Sequence, residues 1–199
     1  ATGTIGELGC LSFNGNKIIT AGGGGMILTN SIKFAEKAKY LTTQAKDDPV
    51  GYVHNEVGYN FRLTNIQAAV GVAQMQQLPD ILTRKKEIHR QYVDWMKGIK
   101  GLAIAESPGY ASNNHWLNLL EINEKLYKRN SKEVMRSLEN AGIQARPVWA
   151  LNHTQKPFEA CQSYNIVRAS EVVRRSLCLP SSSHLSKHQI EKVISVLHE

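Results

Sequence analysis

Ser12-Phe-Asn-Gly-Asn-Lys17-Ile-Ile-Thr-Ala-Gly22-Gly-Gly-Gly25 is an unusual piece of sequence, and strand-like residues stand on both sides of it, at 11–13 and 26–29. Its one lysine precedes four successive glycines, which let a backbone turn with positive φ or approach a bulky ligand closely. A lysine amine can attack a carbonyl carbon once its surroundings lower its pKa. The stretch therefore predicts either a solvated lysine in a β-hairpin with a glycine turn, or a reactive lysine beside a bound group.

Composition indicates a folded, basic protein. The 199 residues are 42% hydrophobic and 21% charged, which argues against general disorder. Lysine and arginine outnumber aspartate and glutamate by 24 to 17, giving a net charge of +7, so an anionic partner has to be considered. Part of the excess lies at 84–100, where basic and apolar residues alternate at helical spacing, and this predicts a solvated helix face. Nucleic-acid binding is the alternative, but no recognised nucleic-acid module accompanies the charge.

The cysteines, the hydropathy and the histidines indicate the compartment of the protein and whether it binds membranes or metals. Cys10, Cys161 and Cys178 are odd in number and far apart, which favours a reducing compartment over a disulfide framework or a zinc site. No apolar run of residues approaches the length of a membrane span, so we expect a cytoplasmic protein that does not associate with membranes. The histidines show no metal-ligand spacing, and no metal is expected. The start at Ala1, without a methionine, is interpreted as a start in mid-protein, and hence as a fragment.

Apolar periodicity and capping residues predict the elements in chain order. A helix begins after Asn30 and Ser31, and a loop rich in turn formers follows at 44–60. The later elements are a helix that opens with the capping box Thr64–Gln67 and ends at Pro79; a helix from Asp80 to about residue 100; strands at 115–122 and 143–149; helices at 130–141 and from Ser186 onward; and a helix or strand at 170–179.

The predicted helix that begins at Asp80 has an apolar face, and such a face is more often core than a cofactor site. Its residues are Ile81, Leu82, Ile88, Tyr92, Trp95, Met96 and Ile99. The pattern upstream of this helix is that of the tail of a larger α/β domain, and the pattern downstream is that of a smaller α+β domain. The boundary is therefore predicted within 79–100.

The stretch Ser12-Phe, Lys17, Thr20 and the glycine turn resembles the cofactor-lysine segment of the DegT/DnrJ/EryC1/StrS sugar aminotransferases, which are pyridoxal phosphate (PLP) enzymes of fold type I. The resemblance continues through Tyr59-Asn60-Phe-Arg62-Leu-Thr-Asn-Ile-Gln67 and, more weakly, to the C-terminus. It implies an α/β fold in which residues 1–79 are the C-terminal part of the PLP-binding large domain. Residues 80–199 would then be a linking helix and a smaller α+β C-terminal domain.

The same resemblance implies roles for three cofactor-binding residues. Lys17 would bond to PLP and serve as the base that moves a proton between substrate and cofactor. Ser12 would bond to the PLP phosphate, although a serine at a strand edge is an equal alternative. Asn60 resembles an asparagine that reaches the phosphate of the neighbouring subunit, which implies a homodimer with shared active sites; a turn asparagine is the competing interpretation.

Three further residues are candidates for substrate binding. Arg62 could meet a phosphate of a nucleotide sugar, because a guanidinium fork matches such oxygens. His54, next to Asn55 and Glu56, is a candidate for the lining of the sugar site, and the resemblance implies that His153 lies in a region that contacts nucleotide sugar in relatives. A surface arginine and a solvated loop histidine are the plainer interpretations.

The subgroup implied by Asn14-Gly-Asn-Lys17 and His54-Asn-Glu is that of the LegC-type enzymes. These use L-glutamate to aminate C4 of a nucleotide-linked 4-keto-6-deoxy-N-acetylhexosamine, in the synthesis of surface polysaccharides or nonulosonic acids. The family aspartate that pairs with the PLP ring nitrogen, and the aromatic residue that stacks on the ring, would precede Ala1. We therefore expect these 199 residues alone to bind PLP poorly.

Two alternatives remain open from the sequence. One is a regulatory protein that binds nucleic acid without turnover, and steep salt dependence would identify it. The other is a PLP-dependent sugar dehydratase, in which histidine usually replaces the lysine. The presence of Lys17 argues against a dehydratase.

Overall fold

The computed structural model describes residues 1–198, and the chain divides into two units, Ala1–Pro79 and a second that begins at Asp80. In the first unit, strands β1 (Gly9–Ser12) and β2 (Gly25–Leu28) form an antiparallel hairpin with Ser12 opposite Gly25. Helix α1 (Ile32–Thr42) follows, and the Ser31 hydroxyl accepts a hydrogen bond from the Phe34 N–H at its start. The predicted strands and helix are confirmed in this part of the chain.

Helix α2 (Asn65–Met96) continues through Pro79. The prediction that Pro79 ends one helix and Asp80 begins another is therefore wrong. An interior proline removes one backbone hydrogen bond and costs about 3 kcal/mol. Burial of Ile88, Tyr92 and Met96 on the C-terminal half of α2 offsets this cost, since each buried side chain contributes about 1.5–3 kcal/mol.

The start of α2 is fixed by the capping box that the sequence predicts. The Gln67 N–H donates to the Thr64 hydroxyl, and the Thr64 N–H donates to the Gln67 side chain, both over 3.3 Å. The reciprocal bonds satisfy two of the amide groups that a helix leaves unpaired at its N-terminus.

The second unit has a four-stranded antiparallel sheet in the order β3-β4-β6-β5. No helix among residues 1–198 is both long enough and apolar enough to cross a membrane. The elements after α2 are β3 (Leu102–Ile104), β4 (Asn118–Ile122), α3 (Glu124–Tyr127), α4 (Ser131–Asn140), β5 (Arg146–Pro147), two short 3-10 turns (Asn152–Thr154 and Lys156–Phe158), α5 (Val167–Arg175), β6 (Ser176–Leu179) and α6 (Lys187–His198).

Several strand boundaries differ from the predictions. The strand expected at 143–149 is only Arg146–Pro147, an edge strand in which Pro147 has no N–H for a ladder. The strand expected at 115–122 begins at Asn118, and His115 before it has a φ of 49°, which is incompatible with a strand. The range 170–179, predicted as helix or strand, contains the end of α5 and all of β6.

The hydrophobic core lies in the second unit, where β4 points Leu120 and Ile122 inward. Trp95 belongs to the predicted apolar face but is 45% exposed, so its prediction as core is wrong. The other buried members come from α2, β3, α4, β6 and α6 and from the segment between α4 and β5: Ile88, Tyr92, Met96, Leu102, Ile104, Val134, Leu138, Ile143, Leu177, Leu179, Ile190, Val193, Ile194, Val196 and Leu197.

The first unit differs from the second in how few of its described apolar side chains are buried. Ala21 and Ala45 are the buried hydrophobic residues that the structure describes there, and both side chains are small. Large apolar side chains are instead exposed on β2, on the 44–60 loop and on the N-terminal half of α2: Met26, Ile27, Val50, Tyr52, Val57, Ile66, Val70, Val72 and Met75. Exposed apolar surface of this extent is typical of a face that another polypeptide covers.

Lys85 is the main exception to the predicted solvated face of α2. Its side chain is only 4% exposed, and its Nζ donates to the carbonyl oxygen of Trp116 over 2.8 Å and also to that of Ser181. These carbonyls lie just before β4 and just after β6, so one ammonium group connects α2 to two strand ends. Burial lowers the pKa of Lys85 to about 8.

Replacement of Lys85 by methionine is expected to reduce the free energy of unfolding by about 1–3 kcal/mol at about pH 10, because two carbonyl groups lose their donor. The folded pKa is about 8 and the ordinary value is 10.5, so the unfolded state binds more protons between these values. Wild-type stability therefore rises relative to Lys85→Met as pH increases from about 7 to 10, by on the order of 1–3 kcal/mol.

Urea unfolding at several pH values measures this difference. Lys86→Met, which changes the exposed neighbour of Lys85, is the matched control and should show a stability difference that does not vary with pH. A wild-type advantage over Lys85→Met that stays constant across this range would contradict the proposed burial effect.

Candidate functional site

Lys17 lies in the loop that joins β1 to β2, and several hydrogen bonds close this loop. The Lys17 N–H donates to the Asn14 carbonyl over 3.0 Å, which forms an inner turn. The Ala21 N–H and the Thr20 hydroxyl both donate to the Phe13 carbonyl, each over 3.0 Å. The Phe13 N–H donates to the Gly24 carbonyl over 3.0 Å. Half-buried Lys17 is therefore held on a closed loop whose ends meet at Phe13.

The segment after Lys17 contacts helix α2. The Thr20 N–H donates to the Gln74 side-chain oxygen over 3.4 Å, and the Thr20 hydroxyl accepts from the Gly22 N–H over 2.8 Å. Ala21 is 5% exposed, and a Cβ built at Gly71 of α2 would lie 3.9 Å from the Ala21 Cβ. Gly22 has a φ of +77°, a conformation that only glycine adopts readily.

The residues of this loop suit the groups of PLP. Ser12 is exposed at the end of β1, and its Oγ accepts from the Asn14 N–H over 3.4 Å, so its O–H proton is available to donate. The stretch 12–25 contains no aspartate or glutamate that would repel a phosphate. It therefore supplies an amine for an aldehyde and a hydroxyl donor for a phosphate.

Asn60 lies on a short extended segment beside the end of α1. The Phe61 N–H donates to the Thr42 carbonyl and the Gln44 N–H donates to the Tyr59 carbonyl, both over 3.0 Å, so Asn60 and Thr43 pair as in a β-bridge. The Asn60 side chain is exposed, and its backbone position is set by this pairing.

His54 is held by the loop that precedes Asn60. Its Nδ1 lies 2.8 Å from the Gln44 carbonyl oxygen and 3.1 Å from that of Ala45, so Nδ1 carries the hydrogen and Nε2 is the nitrogen that can meet a ligand. Gln44 and Ala45 have φ values of 75° and 47°, and the histidine bonds stabilise this left-handed pair.

The Asp47 side chain also holds the 44–60 loop in place through hydrogen bonds. Its carboxylate accepts from the Asn55 N–H over 2.7 Å and from the Tyr40 hydroxyl over 2.9 Å. The Asn55 backbone bond is the main reason why the pKa of Asp47 is lowered. The 44–60 segment is therefore an ordered loop rather than an unstructured connection.

Arg62 lines a cavity of about 730 Å³ beside the glycine turn. Lys39 is the other basic residue in the lining, which contains no carboxylate among the described residues. The remaining lining residues come from the hairpin, α1 and the start of α2: Cys10, Leu11, Gly24, Gly25, Met26, Ile27, Thr29, Ala35, Ala38, Thr42, Phe61, Leu63 and Gln67. Two cations in a lining whose described residues include no carboxylate suit an anionic ligand.

His153 belongs to the second unit and is half-buried in a cavity of about 520 Å³. Trp149 and Phe158 give this cavity aromatic walls, and the Trp149 ring stacks on that of Trp116 with centroids 5.7 Å apart. Asn152 and Gln162 supply amide groups that can bond to a polar ligand.

The structure places Ser12 and Lys17 on one hairpin, and it places Arg62 beside the glycine turn of the same hairpin. Their ligand contacts stay predictions, as do those of Asn60, His54 and His153. Among residues 1–198 no cluster of histidine, cysteine and acidic side chains could hold a metal ion. Sequence reasoning assigned no role to Thr20 or to Gln74, although a threonine two residues before a glycine turn is a recognisable turn signal.

Comparison with known proteins connects these features to a family. The sequence profile of the DegT/DnrJ/EryC1/StrS aminotransferase family matches residues 1–198. The EpsN protein of Bacillus subtilis is 35% identical over 98% of this chain and 51% of its own length. The GDP-perosamine synthase of Caulobacter vibrioides is 30% identical over 100% of this chain and 53% of its own length.

The fold agrees with a solved structure of the same kind. The aminotransferase TlmJ from Streptoalloteichus hindustanus superposes with a TM-score of 0.89 at 23% identity, over 99% of this chain and 52% of that one. The predicted α/β fold is thereby confirmed. The chain spans about half the length of the curated relatives that it matches.

Substitution of Gly58 by alanine is expected to open the 44–60 loop, because a Cβ at this position would overlap the backbone of Gln44 and Ala45. Trypsin should then cleave after Lys46 at least several times faster than in wild type, since cleavage follows local opening. Gly109→Ala is the control, because a Cβ there would meet no atom within 4 Å. Equal cleavage of wild type and Gly58→Ala would show that the contact does not hold the loop.

Proposed function

Since the chain belongs to the DegT/DnrJ/EryC1/StrS aminotransferase family, whose cofactor is PLP, we propose that it forms part of a nucleotide-sugar aminotransferase. The amino group passes from L-glutamate to C4 of a nucleotide-linked 4-keto-6-deoxy hexosamine, for surface-polysaccharide or nonulosonic acid synthesis. The observation that carries this proposal is Lys17 on its closed, carboxylate-free loop, in a chain that matches the family from residue 1 to residue 198. The GDP-perosamine synthases among the relatives support a sugar nucleotide as substrate.

Lys17 has two tasks in this proposal. Its amine holds the cofactor, and when the amino donor displaces that amine it can accept and return a proton at the reacting carbon. PLP, when bound, would supply the electron sink for the carbon that loses and regains this proton. One residue can serve both purposes because the closed loop keeps the released amine next to the proton that must move.

Ser12 and Asn60 complete the cofactor site in this proposal. The Ser12 hydroxyl donates to the phosphate from the end of β1. Asn60 extends to the phosphate of a second subunit, so that a homodimer shares its active sites. The exposure of the Asn60 side chain and the fixed backbone around it support a role toward a neighbouring chain.

Arg62, His54 and His153 serve the sugar nucleotide. Arg62 with Lys39 offers two positive charges to the diphosphate, and the guanidinium can form two parallel bonds to phosphate oxygens. The Nε2 of His54 is available to a sugar hydroxyl. His153 has aromatic neighbours, Trp149 and Phe158, which suit a planar base.

We also propose that residues 1–79 are the C-terminal part of a larger cofactor-binding domain and that residues 80–199 are the linking helix and smaller domain. The near absence of buried apolar residues before Pro79, against the full core after it, supports this division. The proposed reaction uses soluble metabolites, and we place the enzyme in the cytoplasm.

Lys17→Ala in the complete enzyme is expected to abolish amino transfer and to remove the visible absorbance that a lysine-bound cofactor produces. Lys33→Ala, which changes an exposed lysine of α1, is the matched control and should retain both. Release of 2-oxoglutarate from glutamate in the presence of a 4-keto sugar nucleotide measures the activity. A Lys17→Ala enzyme with wild-type turnover would refute the proposed function.

Arg62→Met is expected to raise KM for the sugar nucleotide by roughly 10- to 100-fold, because a charge-assisted bond to phosphate contributes about 1.5–3 kcal/mol. KM for glutamate should change little. Arg90→Met, at an exposed position of α2, controls for loss of positive charge. An unchanged KM for the sugar nucleotide would exclude Arg62 from the diphosphate site.

A further inference from the structure

Thr20 occupies a junction between the lysine loop and helix α2. Its hydroxyl donates to the Phe13 carbonyl over 3.0 Å and accepts from the Gly22 N–H over 2.8 Å, so both functions of one hydroxyl are used. Its backbone N–H donates to the Gln74 side-chain oxygen over 3.4 Å. The next residue, Ala21, is one of the two buried hydrophobic residues that are described before Pro79.

These contacts restrict the backbone on the C-terminal side of Lys17. A lysine side chain has several rotatable bonds, and the position of its amine is defined only if its backbone is fixed first. The inner turn from Asn14 to Lys17 fixes one side of the lysine. Thr20 and Gln74 fix the other side, against a helix rather than against solvent.

We propose that Thr20 is a positioning residue that holds Lys17 for proton transfer, and that Gln74 is its support on α2. This inference rests on the proposed function of Lys17, but the loop contacts themselves do not depend on it. Thr20 contacts neither substrate nor cofactor in this scheme. It acts by closing the loop at Phe13 and by attaching the closed loop to α2.

Paired variants of the complete enzyme test this role. Thr20→Val keeps the shape of the side chain and removes the hydroxyl, whereas Thr20→Ser keeps the hydroxyl. Gln74→Leu removes the acceptor on α2, and Gln76→Leu changes an exposed glutamine of the same helix as the matched control. Amide hydrogen exchange at Ala21 and Gly22 reports loop closure, and steady-state kinetics report catalysis.

Thr20→Val should exchange the Gly22 amide roughly tenfold faster than wild type, because this amide loses its hydroxyl acceptor. The Ala21 amide should also exchange faster, because the Phe13 carbonyl then keeps only one of the two bonds that close the loop. The kcat of Thr20→Val should fall by about 10²-fold, the effect of a misplaced catalytic group, while KM for the sugar nucleotide stays near the wild-type value. Thr20→Ser should keep most of the wild-type amide protection and most of the wild-type kcat. Gln74→Leu should also raise the exchange rates and lower kcat, but by less than Thr20→Val. Gln76→Leu should change neither the exchange rates nor kcat.

Three results would overturn the proposal: wild-type exchange in Thr20→Val, faster exchange without a loss of kcat, or a Thr20→Ser enzyme as impaired as Thr20→Val. Borohydride reduction with PLP, followed by peptide mass analysis, distinguishes failure of the Thr20 proposal from failure of the proposed function. If wild-type Lys17 takes no pyridoxyl label, the proposed function is wrong. The exchange rates of the Thr20 variants then decide alone whether Thr20 closes the loop.

Discussion

The backbone N–H and carbonyl of Phe13 are the constraint on which the first unit depends. Its N–H donates to the Gly24 carbonyl and its carbonyl accepts from both Ala21 and Thr20, so the hairpin and the lysine loop end at the same place. These bonds use backbone atoms of Phe13 and not its side chain. Ser12 on one side and Lys17 on the other therefore keep a defined separation along a closed path, which a freely moving loop would not give.

Stability and chemistry are distributed unequally along the chain. The second unit has a continuous apolar core together with polar connections from α2, where the Tyr92 hydroxyl donates to the Pro180 carbonyl over 3.0 Å and Lys85 donates to two other carbonyls. The first unit contains Lys17, a cavity with two cations and many backbone bonds, but little buried apolar surface. Hydrogen bonds contribute about 1 kcal/mol each in net terms, so they shape a site more effectively than they stabilise a domain.

The sequence predicts the elements that local chemistry determines. The capping box predicted at Thr64 is present, and boxes of the same kind begin the helices predicted after Asn130 and Ser186. Each box depends on residues only three positions apart. The predictions for Pro79, Lys85 and Trp95 are wrong because each depends on what the rest of the fold places beside the residue. Lys85 does stand in line with Ile81, Ile88 and Tyr92 at helical spacing, but no local rule reveals that two strand-end carbonyls lie opposite it.

The candidate site is predictable to a similar degree. The motif around Lys17 predicts roles for the lysine and for Ser12, since both are close in sequence. The support from Gln74, which is 54 residues from Thr20, becomes visible only in the folded chain. The orientation of His54 likewise follows from bonds to the carbonyls of Gln44 and Ala45. Both residues have a left-handed backbone conformation that no local sequence pattern indicates.

The exposed turn at Asn14 has a chemical consequence for the lifetime of the protein. Asparagine is among the thermolabile residues, and here it is followed by Gly15, where a Cβ would meet no atom within 4 Å. An unhindered glycine allows the next peptide nitrogen to attack the asparagine amide, with loss of ammonia. The cyclic imide formed in this way adds water and opens to a carboxylate, so the turn that bonds to the Lys17 N–H would gain a negative charge three residues from that lysine.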